Sequence, residues 1–149
     1  MGTLTKNFCY FEKNIDFNFI SNLLDRNNLS SQISSNFLNN FIFESVFKIH
    51  LVEQDSFFYE LFNLLQNKFN TLNKKSDLDL YFSLVSGNKS IAHRDGYDVY
   101  IVGVYGKTLY RVNDEDFIVE KGDLLYIPKN ELHKAIGLTP RITLSYGIY

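Results

Sequence analysis

Three residues have the types and spacing to do metal chemistry: His93 and Asp95 in S-I-A-H-R-D-G-Y-D, and His133 in G-D-L-L-Y-I-P-K-N-E-L-H-K. An H-x-D pair followed about forty residues later by a further His is a set of two imidazoles and one carboxylate. Such a set caps one face of an octahedral ion and leaves the opposite face open, the arrangement used by non-haem Fe(II) oxygenases. The other histidine, His50, lies in an apolar stretch away from these residues and reads as structural.

For three such residues to meet, the chain must bring distant segments together. His93 and Asp95 are two apart, so on a strand their side chains share a face. Gly106 marks a turn in V-Y-G-K, Gly122-Asp123 opens a strand and Pro128 closes it. These are the residues that sheet corners require, and Asp123 reads as a turn cap. The spacing predicts two antiparallel hairpin-like units with the ligands on facing strands.

From Leu78 onward, short strands alternate with turn residues, at about 79–86, 91–94, 98–105, 107–112, 116–119, 123–127, 133–137 and 141–148. That texture predicts a sandwich or small barrel, with Tyr105, Tyr110 and Tyr126 packing it. The first half reads differently. Residues 1–14 form an extended lead-in. Phe17, Ile20, Leu23 and Leu24 predict a helix over 15–27 capped by Asp16. Residues 28–40 read as loop, and 41–53 as a strand. A helix over 56–73 follows, capped by Asp55, with Phe58, Leu61, Phe62, Leu65 and Phe69 on one stripe. The stripe is expected to pack on the sheet, with a dimer face as the alternative. The expected whole is a single domain, 1–149: a helical and strand region over 1–77 against a β-barrel over 78–149.

Composition narrows the function classes. The chain has 149 residues, a formal net charge of −2 and a 16% share of aromatic residues, all Phe and Tyr. Without a basic footprint, nucleic acid and anionic membrane are not expected partners. The single Cys9 excludes an internal disulfide framework and cysteine-based zinc sites. No apolar run reaches membrane-spanning length, the N-terminal residues lack the apolar run of a signal peptide, and a cytoplasmic location is expected.

Written out, the pattern is H-x-D-x3-V-x6-G, then fifteen residues, then G-x5-P-x4-H. It resembles the paired motifs of the cupin superfamily, a double-stranded β-helix. With L-Y-F-S-L-V-S-G-N-K-S before it and G-D-L-L-Y-I-P after it, it is similar to the JmjC-type branch, the Fe(II)- and 2-oxoglutarate-dependent hydroxylases of proteins and ribosomal components. The resemblance covers about residues 78–147. It implies a mainly β, cupin or jelly-roll barrel with N-terminal helices packed on it. It also implies Fe(II) held by His93, Asp95 and His133, with 2-oxoglutarate as cosubstrate.

Ser90 falls where the family often has a Thr or Ser touching the cosubstrate, and Tyr97-Asp98 matches a frequent Y-D. In the last strand, R-I-T-L-S-Y-G, Thr143 or Ser145 would point inward near the iron. The family usually places a Lys or Arg for the far carboxylate of 2-oxoglutarate where this chain has Thr108. Lys107 is one residue out of phase, and such an offset turns a strand side chain to the other face. Val99 stands where many relatives have Asn. Arg141, in R-I-T, is the alternative cation, and a bidentate Arg suits a carboxylate.

The resemblance thus implies an oxygenase acting on a small molecule or peptide. A metal-dependent cupin enzyme not using 2-oxoglutarate and a non-catalytic binding or dimerisation module remain open beside it.

Overall fold

The computed structural model describes residues 1–27, 46–84, 86–87 and 90–149. In chain order these form β1 (Thr3–Thr5), α1 (Phe17–Asn27), β2 (Phe47–Ile49), a 3-10 turn (Val52–Gln54), α2 (Ser56–Lys68), β3 (Ser76–Ser83), β4 (Asp98–Tyr105), β5 (Thr108–Val112), β6 (Glu115–Val119), β7 (Leu124–Ile127), β8 (His133–Gly137) and β9 (Arg141–Ile148). The expected loop over 28–40 and the start of the expected strand over 41–53 lie outside the described residues.

The strands form a six-stranded sheet in the order β1-β7-β4-β9-β3-β2 and a three-stranded sheet in the order β6-β5-β8. Every pairing is antiparallel. The result is the mainly β architecture expected, a double-stranded β-helix of two antiparallel sheets.

Two apolar clusters explain the layering. Between the sheets lie Val99, Ile101, Tyr110, Val112, Val119, Leu125, Ile127 and Ala135, the barrel interior. The other face of the large sheet carries Leu78, Leu80, Phe82, Val102, Ile142, Leu144 and Tyr146, which pack with Ile20, Leu23, Phe58 and Leu65 of the helices. β9 is therefore buried along nearly all its length, because a strand covered on both faces needs apolar or satisfied residues on both.

The helices start as the sequence predicts. Asp16 Oδ1 accepts from the Phe19 amide at 3.0 Å, and Asp55 Oδ1 accepts from the Phe57 amide at 2.9 Å. Such caps satisfy amides that have no partner within the helix. The α2 stripe turns onto the chain's own sheet, with Phe58 and Leu65 fully buried.

Three expectations are corrected. Helix α2 ends at Lys68 rather than near 73, because Asn70 takes a left-handed φ of 55° and Thr71 N returns to Gln66 O at 2.8 Å. Described residues of the expected strand over 41–53 contribute only Phe47–Ile49. Leu51 has φ 56° and donates its amide to Asp79 Oδ1, which turns the chain out of the sheet. The expected strand over 91–94 reduces to one bridge, His93 with His133. Thr3–Thr5 adds a strand at the β7 edge, within what reads in sequence as an extended lead-in.

Glycine is required at the corner that closes the barrel. Gly106 has φ 68°, and a Cβ there would lie 2.0 Å from the Pro140 carbonyl oxygen.

Candidate metal centre

Gly87 and residues 90–95 lie along the free edge of β8. Gly87 N donates to Gly137 O at 2.6 Å, Ser90 N to Ala135 O at 2.9 Å, and Asn130 N to Asp95 O at 2.7 Å. At the centre, His93 and His133 exchange both backbone hydrogen bonds, at 3.0 and 2.9 Å. The two histidines are thus directly opposed neighbours on paired segments, not residues on facing strands as the spacing predicts. Direct antiparallel partners project to the same side of a sheet, and their rings stand 4.3 Å apart between centroids.

Asp95 completes the group. Its Oδ1 lies 3.7 Å from His93 Nε2 and its Oδ2 lies 3.4 Å from His133 Nε2. One ligand atom from each residue falls within 4.8 Å of the other two. Each imidazole is oriented by the carbonyl two residues before it: His93 Nδ1 bonds Ile91 O at 2.9 Å and His133 Nδ1 bonds Glu131 O at 3.0 Å. A carbonyl only accepts, so each Nδ1 carries the proton and each Nε2 keeps its lone pair for a metal. Burial lowers the His133 pKa, outweighing the Glu131 carbonyl bond that raises it, and nearby His93 lowers it further. The ring is held in its neutral, ligating form.

The triad opens into a cavity of about 240 Å³ inside the barrel. Alternate residues of each strand line it: Asp77, Asp79 and Tyr81 from β3, Val99 and Ile101 from β4, and Arg141, Ser145 and Gly147 from β9. Asp79 is neutralised by Lys48 at 2.6 Å, and Asp77 accepts from the Tyr149 hydroxyl at 2.8 Å. The cavity's permanent cation among the described residues is Arg141. It is 2% exposed, and its Nε has no hydrogen-bond partner.

The remaining predicted site residues divide. Ser90 lines the cavity and its Oγ accepts from Ala135 N at 2.8 Å. Ser145 lines the cavity too, and Thr143, between Ser145 and Arg141 on the same face of β9, is buried with its hydroxyl unpartnered. Thr108 points inward, 1% exposed. Lys107 stands outside the barrel and pairs with Glu120 at 2.7 Å, which removes it from the cavity. Of the tyrosines expected to pack the barrel, Tyr110 lies in its interior and the other two pack on its outer side. Tyr105 packs edge-on to Phe17, and Tyr126 stacks on Tyr100 and donates to Asp98. His50 is largely exposed and sits 3.4 Å from Asp79. Asp123 accepts from Glu120 N and Asn7 N, a turn cap as the sequence reads. Residues of β3 that the sequence did not single out as site members are Asp77, Asp79 and Tyr81. Their signal is the alternation of β3 in D-L-D-L-Y-F-S, legible only once the strand's inner face is known.

Fold and site together define a double-stranded β-helix with a two-His, one-carboxylate group at the mouth of its barrel. Residues 109–149 match the model of the JmjC domain family, a stretch that holds His133 and β9. No curated protein matches the chain. Among solved structures it is similar to YcfD, a ribosomal oxygenase from Escherichia coli, with a TM-score of 0.74, 22% identity, 99% of this chain covered and 47% of that one. The same protein in complex with cobalt and 2-oxoglutarate gives a TM-score of 0.76 at 21% identity, covering 100% of this chain and 48% of that one. The conserved SPY1581 protein of unknown function from Streptococcus pyogenes gives 0.52 at 11% identity over 70% of this chain and 75% of that one. The chain spans about half the length of the ribosomal oxygenase structures it matches.

Proposed function

We propose that this chain is an Fe(II)- and 2-oxoglutarate-dependent oxygenase acting on a peptide or small molecule. The observation that carries this reading is the pairing of the triad at one end of the cavity with the buried, incompletely partnered Arg141 further in. Two imidazoles and a carboxylate on one side of an ion suit Fe(II) in an oxygenase site. A buried guanidinium with an unused N–H is a costly arrangement unless an anion completes it. The residues present therefore fit both groups.

His93, Asp95 and His133 hold the metal. Arg141 receives the far carboxylate of the cosubstrate, and Ser90 and Ser145 flank it. When bound, Fe(II) supplies the redox step in which O₂ and 2-oxoglutarate give succinate and CO₂ while one oxygen atom enters a C–H bond of the substrate. The chain's own part is positional. Ile91 O and Glu131 O fix the imidazole tautomers, Val99, Ile101 and Ala135 exclude water, and Arg141 sets the orientation of the acid.

YcfD is described as a ribosomal oxygenase, which supports a protein side chain over a free metabolite as substrate. A cytoplasmic setting accords with the lone, unpaired Cys9.

Anaerobic calorimetry with Mn(II) or Fe(II), followed by 2-oxoglutarate, tests the reading. Metal binding first, then acid binding only to the metal-loaded protein, is expected, with succinate formed once air is admitted. Metal binding without acid binding leaves a metal-dependent cupin that does not use 2-oxoglutarate, a reading favoured by the absence of a cation at Thr108. No metal binding leaves a binding module.

A further inference from the structure

His133 enters β8 directly from the loop 128–132, so its ring is aimed by whatever holds that loop. The first half of the loop is fixed from the side of segment 90–98. Asp98 Oδ1 accepts from Lys129 N at 3.0 Å, Asp95 O accepts from Asn130 N at 2.7 Å, and the Arg94 guanidinium donates to Asn130 O. The second half, Glu131 and Leu132, is gripped from the other side by Asn113. The Asn113 amide donates to Leu132 O at 2.7 Å, its side-chain Oδ1 accepts from Leu132 N at 3.2 Å, and its Nδ2 donates to the Glu131 carboxylate.

Strand register explains why the side chain is needed. Val112 is the last β5 residue paired with β8, directly opposite His133. Asn113 and Asp114 form the turn to β6, and Asn113 takes a left-handed φ of 51°, which Asn tolerates better than most residues. In an antiparallel pair the partners exchange both backbone bonds or neither. At Asn113 the chain bends away, so the carbonyl that a continuing strand would offer to Leu132 N is replaced by the side-chain carbonyl. Leu132 and His133 are then locked from opposite flanks, Leu132 by Asn113 and His133 by its backbone pair with His93. The Glu131 carbonyl, one residue before this lock, accepts from His133 Nδ1 at 3.0 Å. Asn113 thus holds both residues that precede the ligand, although it neither lines the cavity nor bonds the ring.

We infer that Asn113 is a positioning residue for the metal centre: from the β5–β6 turn it clamps Glu131 and Leu132, and so fixes the carbonyl that orients the His133 ring. This rests on the metal reading proposed above. It separates from a plain turn role because Gly adopts the left-handed conformation without steric cost. Glycine at position 113 keeps the turn and removes both side-chain bonds.

The test uses the full chain and two readouts: Mn(II) affinity under nitrogen, and the His133 ring tautomer in the metal-free protein. The tautomer is read by proton–nitrogen NMR of the ring at about pH 8, above the ordinary imidazole range. Asn113→Gly is expected to weaken Mn(II) binding about tenfold, the lower end of what changes to a ligand's hydrogen-bond partners cost. It should also turn a single Nδ1-protonated ring into a mixture of tautomers. Asn113→Asp keeps an acceptor for Leu132 N, and the N-terminal ammonium, 2.9 Å from Glu131 Oε1, offsets the added charge. That variant should bind Mn(II) within about threefold of the wild type, less than the usual cost of losing such a partner. Asn70→Gly repeats the substitution at the left-handed residue that follows α2 and should change neither readout. In the unsubstituted, metal-free chain the Leu132 amide should be protected from hydrogen exchange, which tests the clamp without a variant. Rapid exchange at Leu132, equal losses in Asn113→Gly and Asn70→Gly, or Asn113→Asp binding as weakly as Asn113→Gly would overturn the inference. If the wild type binds Mn(II) and Asn113→Gly matches it in affinity and tautomer, the proposed function stands and the clamp falls. If the wild type binds no Mn(II), both fall.

Discussion

At the scale of single residues, the centre depends on where protons and lone pairs sit. His133 is buried, is held neutral by that burial, and spends Nδ1 on the Glu131 carbonyl. Replacing it with Ala removes one of three ligands without loading the interior with a new polar group. His133→Ala should therefore lower Mn(II) affinity at least about 100-fold, the upper end of what even changes to a ligand's hydrogen-bond partner cost. Circular dichroism should remain that of a folded β protein. Retained metal affinity would contradict the assignment. Arg141 and Lys107 make a paired comparison. Arg141 is sealed in the cavity, and Lys107 is tied to Glu120 outside it. Arg141→Ala should weaken 2-oxoglutarate binding about 10- to 100-fold, matching about 1.5–3 kcal/mol for hydrogen bonds to a charged group. Lys107→Ala should leave it unchanged. Equal losses for both would return the cation to β5.

At the scale of elements, the turn that follows the N-terminal strand is held to the barrel by a buried carboxylate. Asp123, 2% exposed, accepts from Lys6 Nζ at 2.6 Å, Asn7 N at 3.2 Å and Glu120 N at 2.9 Å. Burial by itself raises its pKa, but Lys6 and the two amides outweigh that and hold the carboxyl below its ordinary value. A group depressed in the folded state stabilises the fold above its unfolded pKa, about 4. That stability is lost as pH falls through the lower, folded value. Asp123→Asn should destabilise by about 1 kcal/mol at neutral pH, the usual scale of a lost cap, and should flatten the acid limb of stability below about pH 4. Denaturant melts of both proteins across pH 3–7 check this, and parallel acid limbs would rule it out. The same scale shows what the chain makes legible. Turn residues punctuate the barrel strands, so β4 to β9 fall within a residue or two of their predicted ends. Left-handed residues with ordinary side chains, Leu51 and Asn70, end β2 and α2 without a Gly or Pro to announce them.

At the scale of the whole molecule, two cores carry unequal duties. The helices and the outer face of the large sheet form a close-packed aromatic and aliphatic layer in which Phe58, Leu65 and Tyr146 are fully buried. The barrel interior keeps a cavity and, among the described residues, four unpartnered polar atoms. Stability therefore resides mainly in the first core, and the second gives some up to remain open for ligands. The segment 90–95, which carries two of the three proposed metal ligands, is tied to β8 by a few backbone bonds and one isolated bridge. Ile91, two residues before His93, is 89% exposed, and it touches the centre only through its carbonyl bond to His93 Nδ1. Such an edge opens locally at low cost. A metal that joins His93 and Asp95 to His133 closes the edge and binds only the folded form. At a free Mn(II) concentration of about 100 times Kd, the linkage is worth about 2.7 kcal/mol, or roughly 5–10 °C in melting temperature for a chain of this size. Hydrogen exchange should show the new protection concentrated in residues 90–95 and 130–135, with the helical core unchanged. In His93→Ala both effects should vanish. Metal-induced protection spread evenly over α2 and the outer sheet would mean that the ion binds elsewhere.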